Sequence, residues 1–82
     1  MEAKPGMIVR SAAGRDKGKF MVIVSAEGDF VYIADGKERK LSAPKKKRLK
    51  HVRLTNTVID TDSLTDKGLR AAIRKFIGEA EE

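Results

Sequence analysis

Short runs of apolar and β-branched residues alternate with turn-forming residues over the first two thirds of the chain. Three of these runs contain no breaker and predict strands over residues 7–11, 20–26 and 30–34. The turn Glu27-Gly28-Asp29 joins the second and third predicted strands into a hairpin.

Two further strands have weaker signals. Residues 39–42 follow the turn residues Asp35-Gly36 and predict an edge strand, which ends at Pro44 because proline donates no backbone hydrogen bond. Residues 45–50 predict a basic loop or one turn of helix, and the polar–apolar alternation over residues 51–55 predicts the last strand. Five short strands with tight turns favour a small barrel over a sandwich.

The hydrophobic period changes near the C-terminus. Apolar residues recur there at helical spacing: Leu69, Ala72, Ile73, Phe76 and Ile77. Thr65 is the expected N-cap and Gly78 the expected C-terminal stop, with a frayed end after it. The chain of 82 residues therefore predicts one mainly β domain, composed of a barrel at residues 6–55, a linker at 56–64 and a helix at 65–78.

Positive charge is concentrated in one segment. Residues 37–53 contain nine Lys or Arg and one acid, Glu38, which gives them a net charge of +8 (9 − 1) within a chain of formal net charge +6. A basic segment on a near-neutral body indicates a polyanionic partner, whereas solubility alone favours interspersed charges. The alternative is a solvated lysine-rich loop.

A second basic feature is the loop bracketed by Gly14 and Gly18, which shape its turn because glycine reaches positive φ cheaply. With the basic segment it supplies the candidate RNA-binding residues, whose phosphate contacts would be sequence-independent and salt-sensitive. These candidates are Arg15, Lys17, Lys19, Arg39, Lys40, Lys45, Lys46, Lys47, Arg48, Lys50 and Arg53. A basic ridge on the predicted helix extends the set with Lys67, Arg70 and Arg74.

Other chemistries have little support. The chain has no cysteine, its one histidine (His51) lies among cations, and the glycine loop lacks the spacing of a nucleotide-binding P-loop. We therefore expect no catalysis, no cofactor and no metal ion. Phe30 and Tyr32 share a strand parity; we expect them in the barrel core or under the helix, and the alternative is a small platform that stacks on bases.

The order of these features resembles a known family. Gly6-Met7-Ile8-Val9, then the glycine loop and an apolar strand, is similar to the KOW motif of ribosomal proteins and transcription elongation factors, although Phe20 and Met21 stand where a second glycine is common. Ala34-Asp35-Gly36, Pro44-Lys45 and Leu54-Thr55 extend the resemblance to archaeal and eukaryotic-type large-subunit ribosomal proteins with an N-terminal KOW barrel, and to short bacterial KOW proteins. The resemblance implies an SH3-like barrel and ribosomal RNA as the partner.

These expectations combine into one functional hypothesis. The chain is expected to be a ribosome-associated RNA-binding protein that is monomeric when free. A cytoplasmic location is expected because no stretch resembles a signal peptide or a membrane span. Two alternatives stay open: a protein-interaction module of the transcription or translation machinery, and a DNA-binding accessory protein.

Overall fold

Five antiparallel strands and one C-terminal helix make up the computed structural model, which describes residues 2–80. The elements are β1 (Met7–Ser11), β2 (Phe20–Glu27), β3 (Phe30–Ala34), β4 (Lys45–Arg48), a 3₁₀ turn (Leu49–His51), β5 (Val52–Val58) and α1 (Asp66–Ala80). Their order in the sheet is β4-β3-β2-β1-β5. The predicted fold class is confirmed: the chain is a small, mainly β domain with a barrel-like sheet and one helix.

Strand alternation divides the apolar residues between two clusters. The inner cluster lies within the curved sheet and is formed by Met7, Val9, Met21, Ile23, Val31, Ile33 and Val52. The outer cluster joins Val22 and Ala34 of the sheet to Leu69 and Ile73 of α1. Since successive side chains of a strand point to opposite faces, β2 contributes to both clusters.

Helix α1 begins as predicted and ends later than predicted. The Thr65 hydroxyl accepts a hydrogen bond of 3.0 Å from the backbone N–H of Gly68, which caps the first turn. Gly78 does not end the helix, because α1 continues to Ala80. Gly78 has no positive φ and no atom within 4 Å of its Cβ position, so it costs the helix only about 1 kcal/mol of propensity. The expected frayed end is helical at Glu79 and Ala80, and residues 81–82 lie outside the described part.

The structure corrects the fourth strand. Residues 39–42 are not a strand. Residues 36–44 form a loop between β3 and β4 that packs against the start of α1, where the backbone N–H of Leu41 donates to Oδ1 of Asp66 at 2.8 Å. The fourth strand is instead Lys45–Arg48, which was predicted as a loop or helical turn; it pairs with β3 through Tyr32↔Lys46 and its neighbours. Consecutive basic residues can form a strand here because their side chains alternate between two environments.

The linker is shorter than predicted. Strand β5 continues to Val58, beyond residue 55, where the barrel was expected to end. The backbone N–H of Ile59 then donates to the carbonyl of Gly6 at 2.8 Å. The connection to α1 therefore starts from an anchored strand end.

Candidate nucleic-acid interface

An acidic residue lies buried at the centre of the basic glycine loop. Gly14 and Gly18 have φ of +80° and +90°, the conformation that the predicted turn needs. Between them, the carboxylate of Asp16 points inward and its side chain is only 2% exposed. The glycine loop therefore shields the carboxylate of Asp16 from solvent.

Three cations surround that carboxylate. The distances to Asp16 are 3.3 Å from Nζ of Lys45, 3.6 Å from Nε of Arg39 and 3.8 Å from Nζ of Lys19. We call these four residues the Asp16 cluster. Lys19 also contacts Glu38 at 3.0 Å, and this hydrogen bond raises the pKa of Lys19.

The Asp16 cluster keeps its carboxylate ionised. Burial by itself raises the pKa of Asp16, but the hydrogen bond from Lys45 and the nearby positive charges of Lys45, Arg39 and Lys19 act in the opposite direction. The pKa of Asp16 therefore lies below its ordinary value of 3.8.

Lys47 is a second internal cation, separate from the Asp16 cluster. Its side chain is buried, and its Nζ donates to the hydroxyl of Ser11 at 2.7 Å and to the carbonyl oxygen of Ala13. Burial, together with the positive charge of Lys45, lowers the pKa of Lys47. Lys45 and Lys47 thus fasten β4 to the loop that follows β1.

These contacts divide the eleven predicted RNA-binding residues into two groups. Four of them make internal contacts: Lys19, Arg39, Lys45 and Lys47. The other seven are exposed, and no carboxylate within residues 2–80 forms an ion pair with them. They are Arg15, Lys17, Lys40, Lys46, Arg48, Lys50 and Arg53.

Two of the exposed cations lie over an aromatic ring. Nζ of Lys46 is 4.3 Å and the guanidinium carbon of Arg48 is 5.4 Å from the centre of the Phe30 ring. Phe30 is opposite Arg48, and Tyr32 is opposite Lys46, in the β3–β4 ladder. We call these four residues the aromatic face.

The aromatic face differs from what the sequence favoured. Phe30 and Tyr32 were expected in the core or under the helix, but both are half-buried and belong to neither apolar cluster. The inward positions of β3 are taken by Val31 and Ile33. Both rings are therefore partly accessible to solvent, and their stacking on bases stays a prediction.

The helix contributes less to a basic surface than predicted. Lys67 and Arg74 are exposed, whereas Nη1 of Arg70 donates to the carbonyl of Gly36 at 2.6 Å. Arg70 therefore holds the 36–44 loop against α1.

His51 is half-buried in the 3₁₀ turn, and its carbonyl accepts a hydrogen bond of 2.8 Å from the backbone N–H of Ala12.

Two residues that matter to this surface were not among the sequence candidates. Asp16 lies between Arg15 and Lys17 in the sequence and was not a candidate, although a single acidic residue in a basic loop can indicate an internal ion pair. Arg10 lay inside an apolar run, but it is the one exposed position of β1, where it stands opposite Arg53 of β5. Its outward parity is the signal that could have identified it.

A scan of the chain against protein-family models finds no match, and a search of curated proteins finds no relative. The KOW resemblance of residues 6–55 therefore stays a prediction from the motifs.

Within residues 2–80, no helix is long and apolar enough to cross a membrane. The same residues contain no group of three or more His, Asp or Glu side chains arranged to hold a metal ion.

Proposed function

We propose that the protein is a non-catalytic RNA-binding protein of the cytoplasm that associates with the ribosome through structured ribosomal RNA. The observation that carries the proposal is the aromatic face, on which two cations that form no ion pair within residues 2–80 lie over the half-buried ring of Phe30. An aromatic ring beside cations offers one surface for a base and another for its phosphates.

The cations of the glycine loop are held beside those of β4. Lys45 and Lys47 point into the loop and bind Asp16, Ser11 and Ala13, while their neighbours Lys46 and Arg48 point outward. Because the inward pair fixes the loop to the strand, Arg15 and Lys17 are positioned by the same contacts. The internal cations would thus organise the RNA-binding surface without themselves contacting RNA.

This surface suits recognition of RNA shape and backbone. Lysine and arginine side chains contact phosphates regardless of sequence, and each neutralised phosphate makes affinity fall with salt. Stacking of one base on an aromatic side chain contributes about 1–3 kcal/mol and tolerates every base. Structured RNA with an unpaired base beside a helical segment offers both contacts.

The resemblance to KOW-containing ribosomal proteins supports the choice of partner. The quoted motifs cover residues 6–55, which include the glycine loop and β4. Absence of cysteine and the presence of only one histidine, set among cations, support a role without catalysis.

A groove beside the helix favours a second candidate, a protein-interaction module of the transcription or translation machinery. It has a volume of about 380 Å³ and combines apolar side chains (Phe20, Ile73 and Ile77) with Lys37 and Arg74. An acidic, partly apolar protein segment would fit this combination. The aromatic face is separate from this groove, since the two share no residue.

Sedimentation of cell lysate on a sucrose gradient tests the proposal. The protein should move with large ribosomal subunits at low salt and bind purified ribosomal RNA in preference to duplex DNA of equal length. A pull-down with and without ribonuclease separates the two candidates. Partners that remain after RNA digestion would favour the protein-interaction module, and absence from ribosomes at low salt would contradict the proposal.

A further inference from the structure

Two arginines face each other on the outer side of the sheet. Arg10 of β1 is directly opposite Arg53 of β5 on one side and Phe20 of β2 on the other. Like charges at directly opposite positions destabilise a sheet. Both arginines are exposed, and no carboxylate within residues 2–80 forms an ion pair with either. The repulsion between them is therefore not relieved by the described part of the chain.

A groove next to these arginines carries a third cation. It has a volume of about 380 Å³ and is lined by Arg10, Ser11, Ala12, Lys17, Gly18 and Arg53. No acid lines it. Asp16, which precedes Lys17, is turned inward into the Asp16 cluster and cannot neutralise this surface. We call this feature the arginine groove.

One of the two guanidinium groups is already oriented. Nε of Arg10 donates to the carbonyl of Gly18 at 3.4 Å, and its guanidinium carbon lies 5.8 Å from the centre of the Phe20 ring. Phe20 is itself fixed against Phe76 of α1, with ring centres 5.2 Å apart. A side chain held in this way loses less conformational entropy on binding a ligand.

We propose that the arginine groove binds a phosphate group. The planar fork of arginine matches the oxygens of phosphate, and Arg10 and Arg53 are placed to approach one phosphate from adjacent strands while Lys17 adds a point charge. A bound anion would also remove the repulsion between the two arginines. Assignment of this phosphate to an RNA backbone rests on the proposed function, whereas the site itself would equally accept a free phosphorylated molecule.

Nuclear magnetic resonance of the full chain tests the site directly. We would follow the side-chain Nε–Hε signals of the arginines while adding inorganic phosphate, with chloride at equal ionic strength as the control. Signals of Arg10 and Arg53 should shift and saturate with phosphate only, and the signal of Arg39, whose Nε lies 3.6 Å from the carboxylate of Asp16, should shift little. Shifts that are equal in chloride, or that do not saturate, would overturn the proposal.

A matched pair of variants makes the test specific. Arg53→Gln should bind phosphate about tenfold more weakly, because it removes charged hydrogen bonds, and Lys75→Gln should bind like the wild type although it loses the same charge. Both side chains are exposed, so both variants should fold. At a given phosphate concentration, the melting temperature should rise by the same amount in wild type and Lys75→Gln and by less in Arg53→Gln. Equal phosphate affinity in the two variants would overturn the proposal.

The same variants separate this inference from the proposed function. If Arg53→Gln weakens both phosphate and RNA binding, the groove holds a backbone phosphate. If inorganic phosphate saturates the groove but the protein binds no RNA, the site stands, its natural ligand is a free phosphorylated molecule, and the proposed function fails. If RNA binds equally well to wild type and Arg53→Gln, and phosphate does not saturate, the groove is not a phosphate site and the proposed function is unaffected.

Discussion

The carboxylate of Asp16 lies 3.3 Å from Nζ of Lys45, a residue 29 positions later in the chain. This contact joins the two most basic parts of the sequence through the one acid in the glycine loop. The Asp16 side chain is 2% exposed and that of Lys45 is 29% exposed, so the pair is shielded from solvent on the acidic side. A buried acid thus determines which cations point inward and which remain available outside.

Replacing Asp16 should loosen the loop and the strand together. Asp16→Asn leaves three cations without their shared counter-ion, and we expect it to lower the free energy of unfolding by about 1–3 kcal/mol. The value stays below that for a fully buried pair because the cations are partly exposed. Chemical denaturation measures the change, and Asp62→Asn, at an exposed acid, should change it by less than about 0.5 kcal/mol.

The lowered pKa of Asp16 predicts how the free energy of unfolding changes at acidic pH. Because the folded pKa of Asp16 lies below its ordinary value of 3.8, its contribution is present above that value and is lost as the pH falls through the lowered folded pKa. The difference in unfolding free energy between wild type and Asp16→Asn should therefore shrink at acidic pH. A difference that stays constant from neutral to strongly acidic pH would contradict the ion-pair account.

Lys47 predicts a second rise of stability with pH, in the alkaline range. Its folded pKa is lowered from 10.5, so between the folded value and 10.5 the unfolded chain holds more protons than the folded chain. Stability conferred by this residue should rise as the pH approaches 10.5 from below. The unfolding free energy of wild type relative to Lys47→Met should increase over that range, and a difference that stays constant up to pH 10.5 would contradict the burial of this lysine.

Gly36 should be intolerant of a side chain. Its φ is +80°, and an added Cβ would lie 2.4 Å from the carbonyl oxygen of Asp66, at the start of α1. We expect Gly36→Ala to cost more than about 2 kcal/mol, because steric overlap adds to backbone strain. Gly28 also has a positive φ, of +58°, but no neighbour within 4 Å, so Gly28→Ala should cost only about 1 kcal/mol. Equal melting temperatures of the two variants would disprove the close packing of loop and helix.

The aromatic face predicts a specific loss of RNA affinity. Phe30→Leu removes the ring beneath Lys46 and Arg48 while it keeps an apolar side chain. We expect RNA binding to weaken about tenfold, because the stacking of a base is lost. Val58→Ala is the control, since Val58 is an exposed apolar residue at the end of β5 and outside the aromatic face. Gel-shift or fluorescence anisotropy titrations should show near-normal affinity for that control; an equal loss in both variants would argue against stacking.

Much of the fold was predictable from local patterns. Strands β1 and β3 have the predicted bounds because their runs are apolar and end at turn residues, and Thr65 caps the helix as its spacing indicated. Strand β4 was not predictable in the same way. All four of its residues are basic, and only Asp16, Ser11 and Phe30, which lie elsewhere in the chain, determine which of them point inward.

The candidate site was predictable as a region but not as a set of side chains. Composition identified residues 37–53 as strongly basic, yet it treated Lys46 and Lys47 alike, although one is exposed and the other buried. The difference in exposure between Lys46 and Lys47 arises from packing against residues distant in the sequence, and the number of charges in a segment carries no information on such packing. Gly78 shows the same limit, since a glycine near a helix end can either stop the helix or continue it.

The most direct test of the account is RNA affinity across a salt series for two variants of equal charge. Lys46→Gln/Arg48→Gln removes two outward cations of β4, and Lys4→Gln/Lys75→Gln removes two exposed lysines elsewhere. Wild type and the second variant should show the same steep fall of log K with log salt, and the first variant should lose about 1.5 from the magnitude of that slope. A salt-independent affinity, or equal slopes for the two variants, would contradict the proposed RNA-binding surface.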